Sequence, residues 1–217
     1  MTNPERLADP SLGMKLFYSD VLAPRKACAV AKYLEVPVEF VYLDLRQGEQ
    51  KRPSYVALNP NGTVPTLIDG DQVLWEADAI MCHLSRRTGS DLWPGDNRQI
   101  EVLRWLSWNA QHFTRCGGAL YFEGVIKPRF GAGPADENAI QSALVGFRRF
   151  AGILNDHLCG RAWLVGDGLT VADFSVAITL PYAAQARMPL DEFPEIRRWH
   201  DRLNTLDAWR SPFPVQH

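Results

Sequence analysis

Every strand signal in this chain falls before residue 76, and that asymmetry limits the possible folds more than any other feature. Met14 to Tyr18 (MKLFY) reads as a short strand. Val38 to Leu45 (VEFVYLDL) reads as a second, with Val38, Phe40 and Tyr42 alternating along it. Between them Arg25 to Glu35 carries small and apolar residues on one helical face, and a helical crossover favours a parallel strand pair. Arg52 to Leu58 has room for one or two helical turns. Thr66 to Ile68 and Val73 to Trp75 flank Asp69-Gly70-Asp71, whose Asp-Gly step predicts a hairpin, and Glu76 to Arg87 is helical. This order describes a compact α/β layer closed by a hairpin.

Beyond a Pro/Gly/Asp-rich linker that starts at Ser90 (SDLWPGDN), the period becomes helical throughout. Leu103, Leu106 and Phe113 mark a long helix over 97–127, with Trp105, Trp108, His112 and Arg115 on a neighbouring face. Pro128 to Pro134 (PRFGAGP) is expected to break it, and Ala135 to Leu158 forms a second long helix. Thr170 and Asp173 have capping-box spacing at the start of a helix over 171–186, apolar nearly all round and therefore central. Phe193 to Leu206 is a last amphipathic helix. The expected division is a leader over 1–13, an α/β domain over 14–89, a linker over 90–96 and an all-helical domain over 97–217.

Composition excludes several classes. Of 217 residues 46% are hydrophobic and 22% charged, an ordinary balance for a globular protein with a substantial core. The net charge is −2 with no basic stripe, so nucleic acid is not an expected partner. No apolar run is long enough to cross a membrane, and residues 1–13 lack the apolar stretch of a secretory signal. They read as a flexible leader or an artefact of start-site choice. Cys28, Cys82, Cys116 and Cys159 lie far apart with no C-x-x-C, which predicts reduced thiols in the cytoplasm; with five scattered histidines they lack zinc-site spacing.

The run from Asn59 (NPNGTVPTLIDGDQVLWEADAI) raises a functional question. Val64-Pro65 sits where a cis proline would make a tight turn before a strand. In that geometry the Val64 N–H and C=O face outward as free strand edge, able to pair with an extended peptide. Glu76-Ala77-Asp78 opens a helix, whose N-terminal amides suit a carboxylate, while Glu76 itself suits an ammonium group. Together they would grip a small peptide carrying an α-amine and an α-carboxylate; the plainer alternative is hairpin punctuation.

The combination resembles the glutathione transferases over about residues 14 to 210. The resemblance rests on KLFYS at Lys15, NPNGTVP at Asn59, LWEADAI at Leu74 and GDGLTVADF at Gly166. It implies a thioredoxin-like N-terminal domain, an all-helical C-terminal domain with a co-substrate pocket, a homodimer, and a site at the domain junction that takes glutathione as co-substrate. By that resemblance Val64 and Pro65 meet the cysteinyl backbone, and Glu76 with residue 77 holds the γ-glutamyl end. The family usually has Ser or Thr where this chain has Ala77, and many relatives carry a Lys where it has Thr63. Gln50, Lys51 or Arg52 would then have to meet the glycyl carboxylate.

Activating the glutathione thiol requires a donor to developing negative sulfur. Relatives place a Ser, Tyr or Cys in the turn after the first strand, but Asp20 to Pro24 (DVLAP) offers none. Tyr18 and Ser19 remain; bacterial beta-type relatives have a matching Tyr-Ser pair, though their catalytic Cys has no counterpart here. Ser19 is preferred, assisted by the helix start after Leu22; otherwise Ser19 merely ends the strand. His112 lies in a segment similar to the beta-type helix that turns a His toward the sulfur, and its alternative role is structural. Trp105, Trp108 and Tyr121 could line an apolar pocket. The implied activity is addition of the glutathione thiolate to an apolar electrophile. Isomerisation, dehalogenation and ether cleavage use the same thiolate, and a non-catalytic binding or assembly module on the same fold is the reading from another class.

Overall fold

The computed structural model describes residues 13–214, so the leader expected over 1–13 falls, but for Gly13, outside the described residues. Two compact units emerge from the contacts. The first runs to Ser90 and takes back the chain from Asp207; the second spans Asp91–Leu206.

In the first unit the elements are β1 (Met14–Tyr18), α1 (Leu22–Tyr33), β2 (Val38–Tyr42), a 3₁₀ turn (Glu49–Lys51), α2 (Pro53–Val56), β3 (Thr66–Asp69), β4 (Gln72–Trp75) and α3 (Ala77–Thr88). The sheet order is β2-β1-β3-β4, with β1 parallel to β2 and both other pairings antiparallel. The parallel pair joined through α1 and the β3–β4 hairpin both follow the sequence pattern. Asp69 pairs with Gln72, leaving Gly70 and Asp71 as a two-residue loop.

The sheet has two differently covered faces, because successive strand residues point to opposite sides. On one face Phe17, Tyr55, Val64 and Ile68 form a buried cluster, with Val21, Leu43 and Leu58 packed against it. Tyr18 points the other way: its ring lies edge-on to Phe40 and Tyr42 and stacks on Phe213 at 5.9 Å. That last contact corrects the expected boundary, which carried the helical domain to residue 217. From α10 (Asp207–Arg210) onward the chain packs on the first unit. Trp209 is wholly buried, its carbonyl accepts from the Arg25 guanidinium at 2.6 Å, and the guanidinium also lies over its indole. An apolar anchor fixed by a cation holds this short tail where the amphipathic period alone would have continued the helical domain.

The second unit contains α4 (Arg98–Trp108), α5 (Thr114–Tyr121), α6 (Lys127–Phe130), α7 (Glu137–Leu158), α8 (Val171–Val176) and α9 (Pro194–Leu203). The first three form one helical path with π turns at Asn109–Phe113 and Phe122–Ile126. The expected break over Pro128 to Pro134 is present, but it falls at Gly131 rather than at Pro128: the path runs on to Phe130 and Gly131 ends it at φ +64°. The preceding π turn changes the backbone spacing just before the residue that lacks an N–H, so the helix passes through it. Gly124 lies where this path meets a neighbouring segment: a Cβ there would stand 2.7 Å from the Gln185 carbonyl oxygen.

The helix expected over 171–186 is also shorter than its apolar pattern, because α8 stops at Val176 and a 3₁₀ turn follows at Leu180–Tyr182. Pro181 has no amide for the helical ladder, and burial of the segment does not require helix. The capping box that starts α8 is present, with Thr170 N–H donating to Asp173 Oδ2 at 2.9 Å. Asp173 is fully buried and also accepts from Leu164 N–H at 3.0 Å, the Trp199 indole at 2.9 Å and the Thr170 hydroxyl at 3.0 Å. One carboxylate thereby ties α8, α9 and the preceding loop together.

Candidate functional site

The loop from Asn59 to Pro65 occupies the Phe17–Tyr55 face of the sheet in the first unit. Val64-Pro65 is the cis peptide bond there. Val64 is buried by its side chain in the Phe17 cluster, yet neither its N–H nor its C=O makes a hydrogen bond among the described residues. Backbone groups at a buried position are nearly always paired, so an unpaired donor and acceptor on one residue form an open edge for another extended chain.

The residues expected to surround a ligand's carboxylate lie beside this loop. Gly62 has φ +57°, and a Cβ on it would stand 3.0 Å from Lys51 Nζ and 3.1 Å from the Gln50 carbonyl oxygen. The Lys51 ammonium therefore reaches to within two residues of Val64 and forms no ion pair among the described residues. Gln50 presents a buried Oε1 with no partner. Arg52, the third candidate from the sequence, is paired with Glu49 at 3.0 Å.

The third component is the start of α3. Glu76 caps this 12-residue helix with φ +72° and ψ +116°, a conformation costly for any residue with a Cβ. Its carbonyl accepts the first helical bond from Ile80 N–H at 3.0 Å, and its exposed side chain makes no bond among the described residues. The second acidic residue is engaged: Asp78 meets Lys26 Nζ at 2.6 Å. Glu76 is thus the free carboxylate of this helix start and Ala77 offers a backbone amide only, its methyl being buried.

Around the β1–α1 turn, Ser19 is 3% exposed and its hydroxyl makes no hydrogen bond among the described residues. Its carbonyl accepts from Val21 N–H at 2.9 Å, and Val21 packs against the cluster that holds Val64. The turn and the Val64 loop therefore share one face. Helix α1 begins with no side-chain cap and no acidic residue in its first turn, so the Leu22 and Ala23 amides add positive potential there, beside the Asp20 carboxylate that precedes the N-cap. Tyr18 lies on the opposite face, and its packing on Phe40, Tyr42 and Phe213 accounts for it without chemistry. The cysteines offer no substitute. Burial raises the Cys28 thiol strongly; burial, then the nearby Asp78 charge, push Cys82 up to about 12.

In the helical unit His112 lies in the first π turn, exposed, its ring stacked on Phe150 at 4.9 Å and near Trp108. Those described neighbours are aromatic, with no hydroxyl or acid among them. Arg104, Trp105, Trp108, Ile153 and His157 line a cavity of about 220 Å³. Two of the three aromatic residues named from the sequence thus meet at one cavity, whereas Tyr121 packs on Tyr182 at 4.7 Å. Among the described residues no cluster of His, Cys, Asp or Glu could hold a metal ion.

The sequence reading missed the groups that build the loop. Tyr55 and Asn59 both bond the Thr63 carbonyl, and Lys26 neutralises Asp78. Asn59 alone carried a local signal, since Asn before Pro commonly bonds the backbone two residues on; the others lie too far along the chain.

Comparison with known proteins identifies the family. The model for the glutathione S-transferase N-terminal domain matches residues 15–86, and that for the C-terminal domain matches residues 119–207. Glutathione S-transferase 3 of Zea mays is 30% identical over 179 residues, covering 79% of this chain and 80% of its own. A probable glutathione S-transferase of Oryza sativa subsp. japonica is 31% identical over 191 residues, covering 86% and 89%. Among solved structures, a glutathione transferase of Populus trichocarpa superposes with a TM-score of 0.85 at 21% identity over 92% of this chain and 97% of its own. URE2P6 of Phanerochaete chrysosporium, solved in complex with oxidized glutathione, gives 0.80 at 28% identity over 92% and 94%. With both domain models matched in order and relatives aligned over most of their length, the chain belongs to the glutathione S-transferase family.

Proposed function

We propose that this protein binds reduced glutathione in its first unit and adds the resulting thiolate to an apolar electrophile. The observation that carries the reading is the unpaired Val64 N–H and C=O, flanked by the free Lys51 ammonium and the free Glu76 carboxylate. These groups complement the cysteinyl backbone, the glycyl carboxylate and the γ-glutamyl amine of one extended tripeptide. Support also comes from the relatives, which are named as transferases, and from URE2P6, which holds oxidized glutathione. The apolar electrophile is the part carried by family membership rather than by a contact in the chain.

Ser19 is the proposed thiol donor. Its hydroxyl and the start of α1 stabilise negative sulfur, lowering the thiol pKa toward neutrality. Ala77 removes the hydroxyl that relatives use at the γ-glutamyl end, so affinity rests on the Ala77 amide and Glu76. Exposed Trp75, Leu103 and Ile153 are consistent with association of two copies, and four free cysteines with a reducing compartment.

The test is steady-state conjugation of reduced glutathione to an activated aryl chloride by wild type, Ser19→Ala, Tyr18→Phe and His112→Ala. Loss of kcat in Ser19→Ala alone, with glutathione binding retained, is the expected result. Full turnover in Ser19→Ala removes the assignment of Ser19. Saturable binding with no turnover on aryl, epoxide or enone electrophiles would make the protein a binding module instead.

A further inference from the structure

Between α2 and β3 lies a small polar network inside an otherwise apolar cluster. Tyr55, Asn59 and Thr66 are almost completely buried. The Tyr55 hydroxyl bonds the Thr63 carbonyl at 2.7 Å and Thr66 Oγ1 at 2.7 Å. Asn59 Nδ2 reaches the same two acceptors, at 2.8 Å and 3.1 Å.

Proton counting leaves one arrangement. The single phenolic proton goes to the carbonyl, which can only accept, so the Thr66 hydroxyl donates to Tyr55 and accepts from Asn59. The Asn59 amide cannot be reversed, because its Oδ1 accepts from the Asn61 backbone N–H at 3.1 Å and Asn61 Nδ2 at 3.0 Å. Burial pushes the Tyr55 phenol up, so the donor keeps its proton through the working pH range.

Two buried donors thus saturate the carbonyl of one exposed loop residue, Thr63. The Thr63 C=O and the Val64 N–H belong to the same planar peptide unit and point in opposite directions. We propose that Tyr55, Asn59 and Thr66 are positioning residues for the thiol substrate: by fixing the Thr63 carbonyl they fix the direction in which the Val64 N–H is offered to the cysteinyl backbone. This rests on the reading of Val64 as the glutathione-pairing residue. It also explains why buried polar groups persist here although Val or Phe would fill the same space. Catalysis gains from donors whose orientation is set before the ligand arrives.

The test compares wild type, Tyr55→Phe, Thr66→Val, Asn59→Ala and a stability control, Val30→Ala, which removes buried methyl groups from α1. Each is titrated calorimetrically with reduced glutathione and melted thermally, and the KM for glutathione is measured. Tyr55→Phe keeps the ring on Phe17 and removes only the hydroxyl, so it is informative even if Asn59→Ala fails to fold. Expected is a rise in glutathione Kd and KM of about three- to tenfold in Tyr55→Phe, the scale of one lost hydrogen bond, with kcat falling by less. Val30→Ala should lose thermal stability with unchanged Kd. If wild type binds and Tyr55→Phe shifts Kd no more than Val30→Ala does, the network only supports the fold and the inference is wrong while the Val64 reading stands. If wild type shows no binding at millimolar glutathione, the proposed function fails and takes this inference with it.

Discussion

Replacing Gly62 by Ala couples backbone strain to ligand affinity in a way the geometry makes quantitative. At φ +57° an L side chain costs about 1–2 kcal/mol relative to Gly, so thermal stability should fall by about that amount. The new methyl would also sit 3.0 Å from Lys51 Nζ, 3.2 Å from Lys51 Cδ and 3.1 Å from the Gln50 carbonyl oxygen. The backbone carbonyl yields less than a flexible side chain, so Lys51 is the group that moves away. An exposed ion pair contributes about 0.2–1 kcal/mol, which bounds the affinity loss at about fivefold for either Gly62→Ala or Lys51→Ala. Because both changes remove the same contact, the double variant should bind glutathione no more weakly than Lys51→Ala alone, while its stability loss persists. Calorimetric titration of the four proteins, with thermal melts, completes the cycle. Affinity losses that simply add would show that Lys51 does not act through the Gly62 loop.

Three further outcomes follow from the same structure. Asp173→Ala leaves four donors without their acceptor and should cost at least about 3 kcal/mol, read as a fall in urea midpoint, whereas Asp173→Asn keeps part of the bonding and should cost less. His157, half-buried with Nε2 on the Leu164 carbonyl at 2.8 Å, has its pKa lowered chiefly by burial. The fold thus favours its neutral form; this stability is present above the unfolded pKa and fades as pH falls through the folded one, so wild type should lose more stability than His157→Gln between pH 7 and pH 5. Glu76→Gln should weaken glutathione binding while leaving binding of a des-amino analogue unchanged; equal weakening of both ligands would mean Glu76 does not meet the amine.

Local chemistry explains what the sequence allowed to be read. The Asp-Gly step, the alternation of Val38, Phe40 and Tyr42, and the Thr170/Asp173 spacing each act within a few residues, and each has its counterpart in the structure. Failures came where a distant group decided the outcome. Helical period alone could not show that Trp209 would be held by Arg25, or that a π turn would carry the chain past Pro128. Apolar residues all round suggested helix through Ala186, but burial and helicity are separate properties and Pro181 divides them. At the candidate site, Val64, Glu76 and Lys51 are the candidates that motif and charge single out. Tyr55 did not, because a tyrosine in a short helix looks the same whether its hydroxyl meets water or a carbonyl eight residues on.

Central to the account is that reduced glutathione lies along the first unit with its cysteinyl backbone on Val64. Titrating unlabelled glutathione into ¹⁵N-labelled protein and following the backbone amides tests this directly. The account predicts saturable shifts, one ligand per chain, largest at the Val64, Ala77 and Leu22 amides and accompanied by slowed exchange of the Val64 N–H. Shifts that leave Val64 unmoved at saturation, or no shifts at millimolar glutathione, would contradict it.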